Sequence, residues 1–457
     1  MNLDKYFGIS ESKSTVRTEI IAGITTFITM AYIIFVNPSI LGVPFEGKPD
    51  AEAIKGSIFM ATCISAAIGT LIMGLYARLP FAQAPGMGLN AFFTYTIILG
   101  MGYTFNQALA AVFISGIIFI LITIFGLREQ IVKAIPANIK YAITAGIGLF
   151  IALIGMANAK IIVANPATLV QLIDFSKFNS PDVRSAVVAL IGMLIIGILM
   201  LLKVRGAILI GIIISSIIAI PFGITNLAGL KWSFTLPSMA PTFWKFDFNG
   251  LLGLNGQNIW GVLFNSFTVI IAFFLVDMFD TLGTLLGTAR KANMLDAEGN
   301  LPRMKKAMMA DAVATAVGAC LGTSTVTTYI ESAAGISEGG KTGLTSVVTG
   351  ILFIVAIFFA PLLGFIPSAA TAPALIVVGV LMMSSIKYVE FEDISEGIPA
   401  FLTITLMPFA YSIATGIAAG LIAYPVLKIC SGKAKEVHPI AYVLAILFIL
   451  RFAIVPH

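Results

Sequence analysis

The sequence predicts an all-α polytopic membrane protein, with about fourteen spans arranged as a seven-plus-seven inverted repeat. Of its 457 residues, 58% are hydrophobic and 11% are charged, and the mean hydropathy is +1.01. A water-soluble domain does not need so much apolar surface. Apolar runs long enough to cross a bilayer recur along the chain. One apolar run in each half is interrupted in its middle, at residues 81–99 and 322–340, which indicates two related halves.

Seven apolar runs precede a polar link, Phe222–Gly256, and seven follow it. The predicted spans of the first half are Val16–Pro38, Gly56–Tyr76, Phe81–Leu99, Thr104–Gly126, Ala137–Met156, Arg184–Leu202 and Arg205–Pro221. The predicted spans of the second half are Gln257–Thr288, Lys305–Leu321, Gly322–Gly340, Thr342–Leu363, Ala369–Ser385, Gly397–Ser412 and Ile413–Cys430. A last apolar run, Ile440–Val455, contains Arg451 and is either a short span or an interfacial helix.

Basic residues are concentrated in alternate loops, which predicts a cytoplasmic N-terminus by the positive-inside rule. The basic residues on that side are Arg78, Arg128, Lys133, Lys140, Lys203, Arg205, Arg290, Lys291, Arg303, Lys305, Lys306, Lys428, Lys433 and Lys435. The acidic loop Lys387–Glu396 is an exception. The net charge of +5 arises from basic residues in short loops between spans of a cell membrane. We therefore expect no nucleic-acid partner.

The segment Gly322–Gly340 is not a normal membrane helix. Its first part is rich in β-branched residues, which favour an extended backbone. Tyr329–Gly335 then predicts a short helix with Glu331 near its start, ended by Gly339 and Gly340. Exposed strand backbone cannot face lipid, so protein or a polar cavity must surround it. Interrupted segments of this kind indicate the binding site of a transporter.

The matching segment of the first half is Phe81–Leu99. Pro85, Gly86 and Gly88 prevent a helix before Leu89, and we expect Asn90 to open a short helix there. Asn90 either contacts a ligand or only caps that helix. The extended parts of the two interrupted segments are expected to pair with each other.

The eighth span carries a polar stripe within an apolar helix. Asp277 and Asp280 are three positions apart, and Thr284 follows Asp280 by four, so these side chains share one face. Each acid at the bilayer centre costs about 2.5–3.5 kcal/mol. These acids and Glu331 are therefore candidates for function, or else they pair with nearby backbone and lysines.

Two other features of the second half have simpler interpretations. Asp311 is expected to form an ion pair with Lys305 and Lys306 near the inner surface. The pair Gly283 and Gly287 predicts close helix packing rather than a ligand contact.

The cysteines and histidines exclude several classes of chemistry. Cys63, Cys320 and Cys430 lie in apolar runs without disulfide or zinc spacing, which is typical of packing thiols. The two histidines, His438 and His457, lie near the C-terminus, so a histidine-based triad in the spans is excluded. We expect no cofactor, no metal and no enzyme activity. Met1–Thr15 has no apolar region typical of a signal peptide.

The segments GMGLNAFF, DMFDTLGTLLG and TTYIESAAGI resemble the signature segments of the AzgA-like purine permeases, which carry hypoxanthine, guanine and adenine. This family is related to the nucleobase–cation symporters and nucleobase–ascorbate transporters, and the resemblance begins at Gly23–Leu41. It implies a core domain from residues 16–126 and 257–363, and a gate domain from residues 137–221 and 369–430. Residues 440–455 are expected to form a C-terminal apolar helix. The resemblance also implies a homodimer and an elevator-like movement of the core.

The resemblance assigns Asp280 and Glu331 to base binding, and places Asn90 in the segment that closes the same pocket. The candidate substrate contacts are Asn90, Phe92, Asp280, Thr284, Tyr329, Glu331 and Ser332. The candidate proton-coupling residues are Asp277, Asp280 and Glu331. The uracil and xanthine branches have an Asn-containing motif where this chain has Ser332–Ala334, so their contacts are not carried over there.

The chemistry of a purine agrees with these residues. Carboxylates accept N–H bonds from the edge of the ring, and Phe92, Phe93 or Tyr329 could stack on its face. We therefore expect a secondary active transporter that imports purine bases across the cytoplasmic membrane by proton symport. Adenine, guanine and hypoxanthine all fit, and Na⁺ stays open as the coupling ion. The alternative is a sulfate or bicarbonate transporter of the same architecture.

Overall fold

The computed structural model describes residues 3–126, 135–225, 236–253, 259–291, 294–296 and 301–454, apart from the side chains of 259–261, 263, 264, 290, 291, 451 and 454. Within this part of the chain, nine helical segments are long and apolar enough to cross a membrane. They correspond to the predicted spans one, two, four, five, six, eight, eleven, twelve and fourteen. The other five spans are shorter, interrupted or less apolar. This architecture agrees with fourteen spans in two inverted repeats.

The described residues of the first half form nine α-helices and three strands. They are α1 Leu3–Phe7, α2 Val16–Met30, α3 Ile33–Leu41, α4 Ala51–Ile72, β1 Gln83–Pro85, α5 Met87–Ala91, α6 Phe105–Phe125, α7 Ala137–Asn158, β2 Ile162–Asn165, β3 Leu169–Leu172, α8 Pro181–Leu201 and α9 Ala207–Ile218. Wider π-helical turns continue α4 over Met73–Ala77 and α5 over Phe92–Gly100. The predicted first span is thus two helices, α2 and α3, divided at Ala31 and Tyr32.

The second half begins after the short helix α10, Phe248–Leu251. Its elements are α11 Ile259–Lys291, α12 Met304–Leu321, β4 Val326–Thr328, α13 Ser332–Ser337, α14 Gly343–Ala356, α15 Ser368–Met383, α16 Ile394–Phe409, α17 Ile413–Cys430 and α18 Pro439–Ile454. Tight 3₁₀ turns extend α14 over Ile357–Phe365 and α15 over Ser384–Tyr388. The C-terminal apolar run is helical, as predicted, and α18 packs on α17 and α11.

Strands β1 and β4 pair in an antiparallel register, with Gln83 opposite Thr328 and Pro85 opposite Val326. This confirms the predicted pairing of the two interrupted segments. The Thr70 hydroxyl lies 2.9 Å from both the N–H and the carbonyl oxygen of Gln83, so it completes the hydrogen bonds of β1. The strand pair is wholly buried, which satisfies the requirement that irregular backbone at membrane depth be enclosed by protein.

A second strand pair, β2 with β3, was not predicted. It lies between α7 and α8, with Ile162 opposite Leu172 and an exposed β3. The sequence signal was weak, because each strand has four residues with only one polar side chain, so polar and apolar positions barely alternate. The two strands expected in the interrupted segments are present as β1 and β4, and β2 and β3 are additional to them.

The helices pack in two groups. In one group, α14 packs on α2 and α4, while α12 packs on α6 and α4. In the other group, α7 packs on α15 and α16, while α8 packs on α15 and α9. The strand pair belongs to the first group, because β1 contacts α4 and β4 contacts α11 and α12.

The pair Gly283 and Gly287 does not mediate close helix packing. Both residues are exposed, and a Cβ at either position would meet no other atom within 4 Å among the described residues. The predicted contact was wrong because this stripe of α11 faces away from its neighbours. Close approach occurs instead at Gly335, where a Cβ would collide with the Thr26 hydroxyl and the Ala22 carbonyl oxygen of α2.

Candidate functional site

A cavity of about 130 Å³ lies between the two helix groups, beside the strand pair. Its wall on the first group comprises Tyr32, Gly86, Met87, Gly88, Asp280, Thr284, Thr327, Thr328, Tyr329, Ile330 and Glu331. Its wall on the second group comprises Thr144, Val378, Leu381, Met382, Ser384 and Ser385. The starts of both short helices, α5 and α13, therefore line the same space. Gly88 permits α5 to approach α7 closely, since a Cβ at this position would lie 2.5 Å from the side chain of Ile147 of α7.

Asp280 and Thr284 enter the cavity from α11, one turn apart. The Thr327 hydroxyl donates to Asp280 Oδ2 at 3.4 Å, so β4 orients this carboxyl. The polar stripe predicted from the sequence thus divides: Asp280 and Thr284 line the cavity, while Asp277 is wholly buried outside it.

Glu331 immediately precedes α13 and is half-buried in the cavity wall. The Tyr32 hydroxyl donates to its Oε1 at 2.6 Å. Tyr32 occupies the break between α2 and α3, where the chain turns its aromatic ring toward the cavity. Tyr32 cannot be identified from the sequence, because an aromatic residue in an apolar run is typical of packing.

Tyr329 lines the cavity, but its hydroxyl donates to the Pro85 carbonyl oxygen at 2.5 Å. This bond holds Tyr329 across the two strands. The ring, rather than the hydroxyl, is the part of Tyr329 that can contact a ligand.

Three of the candidate residues lie behind the cavity wall instead of in it. Asn90 is wholly buried and its Oδ1 accepts from the Ser324 hydroxyl. The Phe92 ring packs edge-on against Phe273, with the centroids 4.9 Å apart. The Ser332 hydroxyl accepts from the backbone N–H of Ala82 at 3.0 Å.

The expectation that Asn90 opens its helix was also wrong. Helix α5 begins at Met87, and the Asn90 N–H already donates to the Gly86 carbonyl oxygen at 2.8 Å. Gly86 supplies the extended conformation at the entry to the helix, so the helix starts three residues earlier than predicted.

The expected ion pair of Asp311 with Lys305 and Lys306 does not form. Asp311 is wholly buried, and its Oδ1 accepts from Gln83, Thr281 and Thr328. Lys305 instead donates to the Ile124 carbonyl oxygen, and the Lys306 ammonium lies over the Tyr76 ring. Asp311 follows these lysines by five and six positions, so it projects from another face of α12.

The wall formed by α7 and α15 was missed by the sequence interpretation. Thr144, Ser384 and Ser385 add hydroxyl groups opposite Asp280 and Glu331, while Val378 and Leu381 add apolar surface. Isolated hydroxyl residues in apolar helices commonly bond their own backbone, so they carry no signal in the sequence. Among the described lining residues, two carboxyls face the cavity and no basic side chain does. The cavity is therefore suited to a ligand with hydrogen-bond donors and an apolar face.

The family model described as the permease family matches residues 17–419. The chain belongs to this family. It is 41% identical to the adenine permease AdeP of Escherichia coli over 99% of this chain and 96% of that protein. It is 44% identical to the guanine/hypoxanthine permease PbuG of Bacillus subtilis over 98% of each chain. The protein is thus a membrane permease and not an enzyme.

The fold of this permease is also found in the transmembrane domain of the cyanobacterial bicarbonate transporter BicA. The TM-score is 0.58, and the match covers 89% of this chain and 97% of that domain. The sequence identity is 14%, so this similarity concerns the fold alone.

Proposed function

We propose that the permease imports purine nucleobases across the cytoplasmic membrane. The observation that carries this proposal is the placement of Asp280 and Glu331 on one wall of a cavity that also contains Tyr329 and apolar α15 side chains. A purine has an apolar face and N–H groups on its edge, and carboxylates accept bonds from such groups. The relatives described as adenine and guanine/hypoxanthine permeases support the same substrate class.

Within this proposal, Asp280, Thr284, Tyr329 and Glu331 contact the base directly, and Asn90, Phe92 and Ser332 support the wall from behind. Gly86–Gly88 and residues of β4 also line the cavity. Thr144 and the serines at 384 and 385 complete the site from the opposite side.

We propose that import is driven by proton symport, with Asp280 as the main coupling residue and Glu331 as its partner. Asp280 meets the substrate and the aqueous cavity, so one carboxyl can bind both a proton and the base. Sodium is the alternative coupling ion. Asp277, the third candidate, lies outside the cavity.

The transport movement proposed is a shift of the core, residues 16–126 and 257–363, against the gate, residues 137–221 and 369–430. The two helix groups and the cavity between them support this division. The basic loops support a cytoplasmic N-terminus.

A bicarbonate or sulfate transporter of the same fold is disfavoured by the cavity itself. Two carboxyls and no basic side chain among its described lining would repel an anion. The experiment is uptake of radiolabelled hypoxanthine into proteoliposomes under an imposed pH gradient, with and without sodium. Adenine, guanine, sulfate and bicarbonate serve as competitors. Accumulation that follows a sodium gradient alone would reject proton coupling, and competition by sulfate rather than purines would reject the substrate class.

We also propose a homodimer, as the family resemblance implies, in which the gate domains form a fixed scaffold. Light scattering in mild detergent and in nanodiscs measures the assembly directly. A monomer in both environments would contradict the dimer without affecting the assignment of substrate.

A further inference from the structure

Two buried carboxyls face each other across α11 and α12 in a reciprocal arrangement. Asp277 and Thr281 lie one turn apart on α11, and Asp311 and Thr315 lie one turn apart on α12. The Thr315 hydroxyl is 2.9 Å from Asp277 Oδ2, and the Thr281 hydroxyl is 2.7 Å from Asp311 Oδ1. All four side chains are wholly buried. They lie behind β4 and are absent from the described lining of the cavity.

The charge of this cluster is unbalanced if both acids are ionised. Among the described residues, neither carboxyl has a Lys, Arg or His partner within salt-bridge distance. Two adjacent carboxylates in a dry site cannot both stay ionised, because desolvation and their mutual repulsion both favour one proton. The other titratable group on this stretch of α11, Asp280, faces the cavity and adds a further negative charge when ionised.

The hydrogen bonds show which acid needs the proton. Asp311 Oδ1 accepts from three groups: Gln83 Nε2 at 3.1 Å, the Thr281 hydroxyl at 2.7 Å and the Thr328 hydroxyl at 3.4 Å. Such a set of donors stabilises an ionised carboxylate. The environment of Asp277 differs, because among the described residues its single hydrogen-bond partner is the Thr315 hydroxyl.

The Thr315 hydroxyl has one proton but two acceptors within reach. It lies 2.9 Å from Asp277 Oδ2 and 3.1 Å from the Val326 carbonyl oxygen in β4. It cannot donate to both at once. If Asp277 is protonated at Oδ2, its O–H donates to Thr315 and Thr315 donates to Val326, so Asp277 Oδ2, the Thr315 hydroxyl and the Val326 carbonyl oxygen are all paired.

The cluster also has more acceptors than donors. In the described part of the chain, Asp277 Oδ1, Asp311 Oδ2 and Gln83 Oε1 are buried without a hydrogen-bond donor. Gln83 is wholly buried and its amide already contacts Asp311, so its unpaired oxygen belongs to the same cluster. Unpaired buried acceptors are unfavourable, and a second ionised carboxylate beside them would add to that cost, so the cluster favours one bound proton.

We propose that Asp277 and Asp311 form a proton-binding site separate from the substrate cavity, with a resident proton on Asp277 and an ionised Asp311. The Asp277 hydroxyl donates to Thr315, which donates to Val326 and so fixes β4 behind the cavity. The proton stays bound while Asp280 exchanges its own proton with the cavity. Asp277 is therefore a positioning residue for the strand that carries Thr327.

Infrared spectroscopy of the purified full-length protein tests this without substrate, so its outcome is independent of the proposed transport function. A protonated carboxyl has a carbonyl stretch that an ionised one lacks. We expect a band present in the wild type and lost in Asp277→Asn. In Asp311→Asn the band should remain but shift, because the partner of Asp277 has changed. Thr315→Val keeps both acids and should shift the band, which provides a test if Asp277→Asn fails to fold.

The matched control is Glu19→Gln, which removes another wholly buried acid of the same helix group. Glu19 accepts from the N–H groups of Lys341 and Thr342 and from the Thr345 hydroxyl, so its environment does not include Asp277 and its replacement should leave the Asp277 band unchanged. The proposed proton site would be overturned if no carbonyl band is lost in Asp277→Asn. It would also be overturned if the band is unshifted in both Asp311→Asn and Thr315→Val. Loss of the band on adding hypoxanthine, or on adding sodium at constant pH, would show that the bound charge is exchanged rather than resident.

Discussion

Glu331 is held by one hydrogen bond from Tyr32, and this bond leaves the rest of its carboxylate facing the cavity. Glu331→Gln should weaken purine binding about 10–100-fold, since a hydrogen bond to a charged group contributes about 1.5–3 kcal/mol. Binding of hypoxanthine to the purified variant by calorimetry is the measurement. Glu338→Gln is the control, because Glu338 lies beyond α13 and pairs with Arg205 outside the cavity. Unchanged affinity in a folded Glu331→Gln variant would remove Glu331 from the site.

Asp280 is the cavity acid that we propose to couple protons to transport. Asp280→Asn keeps the size of the side chain but cannot exchange a proton, so concentrative uptake driven by a pH gradient should be lost. Exchange of base across the membrane should persist in part, because the rest of the cavity is intact. Proteoliposomes loaded with unlabelled hypoxanthine separate these activities. Asp182→Asn, at the start of α8, is the matched control. Full accumulation by Asp280→Asn would move the coupling role to another residue.

At the scale of elements, Asp393 ties the start of α16 to the segment after α17. Its Oδ2 accepts from Lys433 at 2.9 Å, and its Oδ1 accepts from the N–H and hydroxyl of Ser395. The Lys433 ammonium and the Ser395 hydrogen bonds hold the pKa of Asp393 well below its usual range. Because the pKa of Asp393 is lower in the folded than in the unfolded state, these bonds stabilise the fold at a pH above the unfolded pKa of about 3.9. This stabilisation is lost as the pH falls toward the pKa of Asp393 in the folded state.

Asp393→Asn should therefore lower the thermal unfolding temperature at neutral pH, and the difference from the wild type should shrink in acid. The effect should be small, because the ion pair is largely solvated. Thermal unfolding in detergent across a pH series measures it, with the neighbouring Glu392→Gln as the control. If the difference in unfolding temperature between the wild type and Asp393→Asn grows as the pH falls, the ionised Asp393 does not stabilise the folded state as proposed.

At the scale of the whole molecule, side chains at the end of α7 and in the π-helical turn after α5 join the two helix groups. Asn158 at the end of α7 donates to the Tyr95 hydroxyl at 2.6 Å, and the Tyr411 ring lies 6.4 Å from the ring of Tyr95. If the core moves against the gate during transport, this contact must break in each cycle. A covalent link there should stop transport without affecting the binding of the base.

We expect a bifunctional thiol reagent to abolish uptake when cysteines replace Tyr95 and Asn158 in a background free of Cys63, Cys320 and Cys430. The control pair replaces Asp393 of the gate and Lys433, which lies three residues after the last helix of the gate; these two side chains are bonded at 2.9 Å. The same reagent should leave uptake by the control pair intact. Continued uptake by the fully linked Tyr95–Asn158 pair would contradict the proposed domain movement.

Hydropathy and residue type by themselves determined the spans, the two interrupted segments and the pairing of their strands. They also identified Asp280 and Glu331, because a carboxyl within an apolar run is costly wherever the chain folds. Those signals are local, so a sequence displays them directly. The limits of α5 were missed because Gly86 and Gly88 permit either a break or a helix start, and the surrounding packing decides between them.

Only the tertiary structure decided which residues meet. Tyr32 and Glu331 are 299 positions apart in the chain, and nothing near either residue encodes their hydrogen bond. The same holds for Thr144 and Ser384, which line the opposite wall of the cavity. It also holds for Asp277 and Asp311, which are linked through threonines of each other's helix. Asp311 lies in this buried cluster instead of forming the expected ion pair with Lys305 and Lys306. The position of a side chain around its helix depends on how that helix is rotated by its neighbours. That rotation is set by packing across the whole molecule, which is why the sequence named the acids but the fold divided them between a cavity and a buried pair.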